Sequence, residues 1–379
     1  MNKKLSILLA MLCAVVVYAA PAPVVQEHQT ARKPVKDAAP FLQQSLSHPD
    51  SWLMVVVPDV QTYVEHPRNH GIVELMTAWI VDHLEPLRIQ MVLFTGDLVN
   101  SNDRRTPLHP YNRKCLMGRE QWKAVSRMLE RLDGHVPYIL CTGNHDYKER
   151  GLNRTTYFND YFPTDRNPQT RKLLIGCRYN AFGVVTLENA AYEFTAPAPD
   201  NRKFLIISLQ FAPTDEDLAW AKALVDRPRY ADHIVVLLTH SYLSWTGERL
   251  QKEGYGVNKQ GGNAGEQIFR KLVYPAKNIR LVICGHICSE PDNWERCVVF
   301  STDKNSSGKT VAQMAFNTQY IGGGYLGSGG DGWLRLLEFM PDRKTVKATT
   351  FSPLFAISPS TWHLAWMRDA RNEFTFTIE

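Results

Sequence analysis

The stretch Met91-Val-Leu-Phe-Thr-Gly-Asp-Leu-Val-Asn100 decides how the chain is read. Four apolar residues stop at a glycine, a carboxylate follows at Asp97, and an amide follows at Asn100. A short apolar run closed by a glycine turn reads as a buried strand that delivers Asp97 just past its carboxyl end. In open α/β sheets that edge is where ligands bind. Asp97 lies at the centre of a site if other strands end alike.

Four more do. The run 53–57 is broken by Pro58 and followed by Asp59 and Gln61. The run 138–141 leads into Thr142-Gly-Asn-His-Asp146, and 234–239 is followed by His240. The run 279–284 leads into Gly285-His286-Ile-Cys288. Between them, Ile72, Leu75, Met76, Trp79 and Ile80 recur at helical spacing and predict an amphipathic helix over 71–85. Trp122, Val125, Leu129 and Leu132 mark another. Strand–helix–strand alternation implies right-handed crossovers and parallel strands. Residues 173–209 hold short β-like runs, including 181–187 and 204–209. Helices are predicted over 214–226 and 266–273, and strands over 296–301, 310–317, 333–339 and 344–351.

The composition is globular: 44% hydrophobic and 21% charged residues over 379 exclude wholesale disorder. The formal charge of +5 includes Lys3 and Lys4. These head a predicted signal peptide, residues 1–20, whose apolar core spans 5–17 and whose cleavage site is Val17-Tyr18-Ala19. Without them the balance is mildly basic and makes no case for nucleic acid or acidic membranes. Proline-rich 21–50 is expected to be an exposed leader, and 51–379 one domain. No later stretch is long and apolar enough to span a bilayer. The expected location is periplasmic or secreted, where disulfides form. Cys141 and Cys284 end strands and are expected as buried thiols. Pairing of Cys115 with Cys177, or of Cys288 with Cys297, is open.

Collected, the strand ends offer Asp59, Gln61, Asp97, Asn144, His145, His240, His286 and Cys288. The mixture of carboxylate and imidazole suits Mn, Zn or Fe better than Ca. Each residue alone has a plainer reading, since Asp and Asn after strands are common turn residues. Five consecutive runs ending this way are not turn chemistry.

This order resembles the calcineurin-like metallophosphoesterase superfamily across roughly residues 52–290. The family pattern is Asp-x-His, Gly-Asp-x-x, Gly-Asn-His-Asp/Glu, a lone His, and Gly-His-x-His. Here it runs Asp59-Val-Gln61, Gly96-Asp97-Leu-Val-Asn100, Gly143-Asn144-His145-Asp146, Thr239-His240 and Gly285-His286-Ile-Cys288. The tail, with Trp333-Leu-Arg-Leu-Leu and Thr350-Phe-Ser-Pro353, is similar to an exported bacterial subgroup that also has Gln in the first motif. The resemblance implies a four-layer α/β sandwich, two mixed β-sheets flanked by helices, with two divalent metals at one edge. Asp97 would bridge both; Asn144, His240 and His286 would complete one site, and Asp59 and Gln61 belong to the other. Such cations sit about 3.5–4 Å apart, clamp a phosphoryl group and activate water for in-line attack. His145 is the catalytic candidate beside Asp97, stabilising the transition state or protonating the leaving oxygen. The implied substrate is a phosphomonoester or phosphodiester, small or polymeric.

Two departures weaken one site. Gln61 offers an amide oxygen in place of an imidazole. Cys288 stands where the family has a His ligand; as thiolate it binds Zn or Fe, and paired with Cys297 it leaves that metal to Asp59, Gln61, Asp97 and water. Either way this metal is expected to be the weaker bound. The alternative function is a non-catalytic metal- or ligand-binding protein with a degenerate first site. Glycine-rich 322–332 lacks the Lys-Ser/Thr of a P-loop and is expected as a mobile loop at the substrate edge. Asn100 is expected to orient its neighbours. His66, His109, Tyr242, Trp245 and Arg249 are expected near the substrate.

Overall fold

Trp52–Val57 is buried along its whole length, as a strand covered on both faces must be. This strand, β1, lies parallel to β2 (Ile89–Phe94), and β2 parallel to β3 (Tyr138–Leu140). The connections are helical: His70–Asp82 between β1 and β2, Gly118–Glu130 between β2 and β3. The computed structural model describes residues 44–107 and 114–379, all in a unit spanning Ala39–Glu379. The predicted signal peptide, most of the predicted leader and His109 lie outside the described residues. Of the leader, Ser47 is described, and its backbone N–H and hydroxyl both donate to the Glu338 carboxylate.

A second sheet starts from β4 (Leu174–Tyr179), β5 (Val185–Thr195) and β6 (Lys203–Leu209) and continues through β7 (Ile234–Thr239) and β8 (Ile279–Cys284). It ends with β9 (Val298–Lys304) and β10 (Thr310–Phe316), in the order β4-β5-β6-β7-β8-β10-β9. The strands β6, β7, β8 and β10 are mutually parallel, and the outer pairs are antiparallel. The last strands, β11 (Leu334–Phe339), β12 (Thr345–Phe351), β13 (Trp366–Met367) and β14 (Phe374–Thr377), return to the first sheet on the far side of β1. Two mixed seven-stranded sheets flanked by helices result, the expected α/β sandwich.

Period-two alternation sets the layers. On β6, Phe204 and Ile206 face the core shared with the first sheet, while Leu205, Ile207 and Leu209 face the outer helices. Trp52 of β1 crosses the inner layer, stacked on Phe339 and edge-on to Phe194 and Phe204 of the second sheet. Asp215–Val225 covers the outer face; its Thr214 cap accepts from the Asp217 N–H while Asp217 reaches back, worth about 1 kcal/mol.

Several boundaries shift: the strand expected over 296–301 is Val298–Lys304, and the helix expected over 71–85 is His70–Asp82. The strand expected over 181–187 starts at Val185, because Asn180 Oδ1 accepts from the N–H groups of Phe182 and Val184 and folds that segment into a turn. The strand expected over 310–317 ends at Phe316, and Asn317, one residue beyond, donates its N–H to Cys297 O at 3.0 Å.

Candidate metal centre

The strand ends converge. Asp59 follows β1, Asp97 follows β2 and Asn144 follows β3, all on the first sheet; His240 follows β7 and His286 follows β8, on the second. Parallel neighbours point their carboxyl ends the same way, so residues far apart in sequence meet at one edge. One ligand atom each from Asp97, His240 and His286 lies within 4.8 Å of the others.

Close approach at this edge demands glycine. A Cβ on Gly143 would sit 2.1 Å from Asp97 Oδ1, and one on Gly285 would sit 2.1 Å from Asp59 Oδ1. Asp97 and His286 themselves take left-handed backbone angles, φ 49° and 68°, which side-chained residues adopt at a cost of order 1–3 kcal/mol.

The imidazoles are oriented by carbonyls. His240 Nδ1 lies 2.8 Å from Thr95 O, so its N–H donates there and Nε2 turns inward. Nε2 then lies 3.1 Å from Asn144 Oδ1, 3.1 Å from His286 Nδ1 and 3.4 Å from Asp97 Oδ2. A buried carboxylate and two further polar atoms around one imidazole nitrogen favour a positive charge among them. In the metal-free chain that charge is a proton: burial opposes it, but Asp97 and Asp59 prevail and hold His240 up to about 10. Burial and the His240 charge push His286 down to about 3. Burial works to raise the Asp97 carboxyl, and the pull of His240 and His145 brings it below the ordinary carboxylate range. A divalent cation fits the same donor set.

Gln61 Nε2 donates to the same Asp97 Oδ2 at 3.0 Å, and Gln61 Oε1 is buried without a hydrogen-bond partner. A half-turn of the amide exchanges the two atoms and aims the oxygen at the centre. Asp59 is held on both oxygens: Oδ1 accepts from Thr95 Oγ1 at 2.8 Å, and Oδ2 from the His286 N–H at 3.0 Å and Asn317 Nδ2 at 2.7 Å. Burial pushes its carboxyl up, His240 pulls it back and Asp97 pushes again, leaving it near 7. Both sets of residues fit a cation. Asn317 was not singled out from sequence, although a sixth apolar run, β10, ends just before it.

Cys288 is corrected. It is disulfide-bonded to Cys297, so its sulfur is no thiolate ligand. Cys115 and Cys177 are free cysteines, and that pairing is not made. Cys141 and Cys284 are buried thiols, as expected.

His145 lies against Asp97, its backbone N–H donating to Oδ1 at 2.8 Å and Nε2 standing 3.9 Å from Oδ2. Its Nδ1 is 2.6 Å from Asn100 O, which also accepts from Arg150 Nη1 at 3.3 Å. Asn100 thus orients its neighbours, and Tyr325 OH donates to its side-chain oxygen at 2.8 Å. These groups open onto a cavity of about 870 Å³, also lined by Trp245, Lys252 and Tyr255. The glycine-rich segment borders this cavity as expected, but it is tied down: Thr62 Oγ1 donates to Gly329 O and Asn69 Nδ2 to Gly327 O. Trp245 lines the cavity, whereas Tyr242 is buried against Gln313 and Arg249 pairs with Glu266 and Asp303. His66 is buried beside Glu65 and the Lys114 carbonyl, away from the cavity lining.

A family model described as calcineurin-like phosphoesterase matches residues 55–290. The protein YvnB of Bacillus subtilis (strain 168) is 29% identical over 310 residues, covering 80% of this chain and 20% of the relative. The chain therefore spans about a fifth of that relative's length. Among solved structures, GAP50, the anchor in the inner membrane complex of Plasmodium, aligns with a TM-score of 0.41 at 8% identity, over 87% of this chain and 89% of that one. A Staphylococcus aureus protein described as a 5'-nucleotidase aligns at 0.39 and 12%, over 86% of this chain and 54% of that one. These two likenesses are too remote to inform function. No helix among the described residues is long and apolar enough to cross a membrane.

Proposed function

The chain belongs to the calcineurin-like phosphoesterase family, and from that premise we propose that it is an exported phosphoesterase that hydrolyses a phosphomonoester or phosphodiester at a two-metal centre. The observation that carries this is the meeting of Asp59, Asp97, Asn144, His240 and His286 at one edge of two sheets. Asp97, Asn144, His240 and His286 would hold one cation, and Asp59, Gln61 and Asp97 the other. When bound, such cations polarise a phosphoryl oxygen and lower the pKa of water.

The chain's own residues supply the rest. Asp97 is oriented by the His145 N–H, so Oδ1 of its carboxylate is set before any ligand arrives. His145 donates Nδ1–H to Asn100 O and turns Nε2 toward the centre. Burial lowers it, Asp97 opposes, and the Arg150 charge lowers it further, to about 4. Nε2 of the resting chain is therefore an acceptor. A phosphoryl anion beside it favours uptake of a proton from water to give the imidazolium, whose Nε2–H would then pass that proton to the departing oxygen. Arg150, sharing the Asn100 carbonyl with His145, lines the same cavity and would offer further N–H donors to such an anion.

The disulfide at Cys288 removes a sulfur ligand from the Asp59 side, which supports the reading that this metal is the weaker bound. The test is hydrolysis of nitrophenyl phosphate and bis-nitrophenyl phosphate with Mn, Zn or Fe, for wild type and Asp97→Asn. Turnover that Asp97→Asn abolishes is the expected result. Equal inertness of both proteins under every metal would favour the non-catalytic binding protein.

A further inference from the structure

Glu253 lies in the segment that follows His240 and is buried. Its Oε1 accepts from Ser241 Oγ at 2.6 Å, and its backbone N–H donates to Asn258 Oδ1 at 2.7 Å. Its other oxygen, Oε2, stands 3.8 Å from His286 Nε2. Among the described residues, the neutral His286 ring is the one basic side chain within 4.0 Å of it. A buried carboxylate beside no Lys or Arg needs another source of positive charge.

His286 has two distinct faces. Nδ1 lies 3.1 Å from His240 Nε2, inside the cluster with Asp97, and Nε2 faces Glu253. A neutral imidazole carries one proton, and that proton decides which nitrogen is left to bind a metal. A carboxylate at Nε2 keeps the proton there and leaves the Nδ1 lone pair bare toward the centre. The effect runs both ways: a cation on Nδ1 makes Nε2–H a stronger donor and draws the carboxylate in. At 3.8 Å the contact is longer than a hydrogen bond, so in the metal-free chain it is electrostatic.

We propose that Glu253, anchored by Ser241, is a positioning residue that sets the tautomer of His286 so that Nδ1 takes the metal. This rests on the metal-centre reading above. The competing role is mechanical: through Ser241 and Asn258, Glu253 would merely fasten its loop.

The experiment is titration of the full metal-free chain with Mn and with Zn against a competing chelator, alongside thermal unfolding without metal. Glu253→Met is expected to weaken one metal by about 10–100-fold. Glu253→Gln, whose amide oxygen still accepts from Nε2–H, is expected to lose less, and Ser241→Ala to fall between wild type and Glu253→Met. In a His286→Ala background Glu253→Met is expected to add no further loss. Affinity within twofold of wild type, or an equal further loss in the His286→Ala background, overturns the proposal. Nitrogen NMR of the wild-type ring decides the matter should Glu253→Met not fold: Nε2–H supports the assignment and Nδ1–H overturns it. A wild type that binds neither metal sinks the metal-centre reading itself, whereas a wild type that binds metal with Glu253→Met unchanged sinks this proposal alone.

Discussion

Asn317 Nδ2 donates to Asp59 Oδ2 at 2.7 Å, joining the end of a strand in the second sheet to the end of a strand in the first. The bond holds a carboxylate whose charge burial disfavours, and it fixes which lone pairs remain for a metal. Asn317→Ala is expected to weaken the metal on the Asp59 side by about 10–100-fold and to spare the metal held with His240 and His286. Stepwise removal of metal by a chelator measures both. Equal weakening of the two would show that Asn317 supports the fold of the edge and not this ligand.

Gly143 has no room for a side chain. An added Cβ would lie 2.1 Å from Asp97 Oδ1 and 2.5 Å from the Asp97 backbone nitrogen, so neither rotation of Asp97 nor a small local shift relieves it. Gly143→Ala is expected to cost about 1–3 kcal/mol of stability in the metal-free chain and, if Asp97 is shared as proposed, to abolish binding of both metals. Thermal unfolding and metal content are the two readouts. Retention of one tightly bound ion would mean that Asp97 does not bridge.

The strands that carry the site were legible because each is an apolar run cut off by glycine or a polar residue. That signature survives without knowledge of partners, and β7 and β8 begin and end where the runs do. Asn317 was lost to one residue of boundary: an amide just past Phe316 looks like the last residue of the strand. The antiparallel tail, β13 and β14, is too short and too irregular in pattern to be recognised before β12 offers it an edge. Tyr242 and Arg249 follow His240 and looked like substrate contacts. Burial against Gln313 and pairing with Glu266 and Asp303 depend on segments that sequence order does not bring together. The fate of Cys288 was undecidable for the same reason, because thiolate and disulfide differ only in where Cys297 lies.

Cys288 and Cys297 are nine residues apart, and their bond closes the loop that follows His286. Chain-entropy reasoning for so short a loop gives roughly 2–3 kcal/mol. Cys288→Ser is expected to lower stability by about that amount under oxidising conditions, with metal stoichiometry unchanged. Under a dithiol reductant wild type and variant are expected to unfold alike. A drop in stoichiometry in the variant would return Cys288 to the ligand set.

His240 must lose a proton before it can bind a cation. Burial disfavours that proton, yet Asp97 and Asp59 hold the ring protonated up to about 10. The sign follows directly. Below that value the proton competes with the metal, so affinity rises with pH, by up to about tenfold per unit for one proton displaced. The same raised value means that the ion pair stabilises the metal-free chain fully below about 6.5, the unfolded value, and that this stability is lost as pH rises through 10. The metal-loaded chain is expected to lack that alkaline decline, because the cation has replaced the proton. Calorimetric titration with Zn at pH 8, in buffers of differing ionisation enthalpy, is expected to report close to one proton released for the metal held by His240. Release near zero would mean that His240 is already neutral, and that the lone pairs gathered around its Nε2 are balanced by something other than a proton.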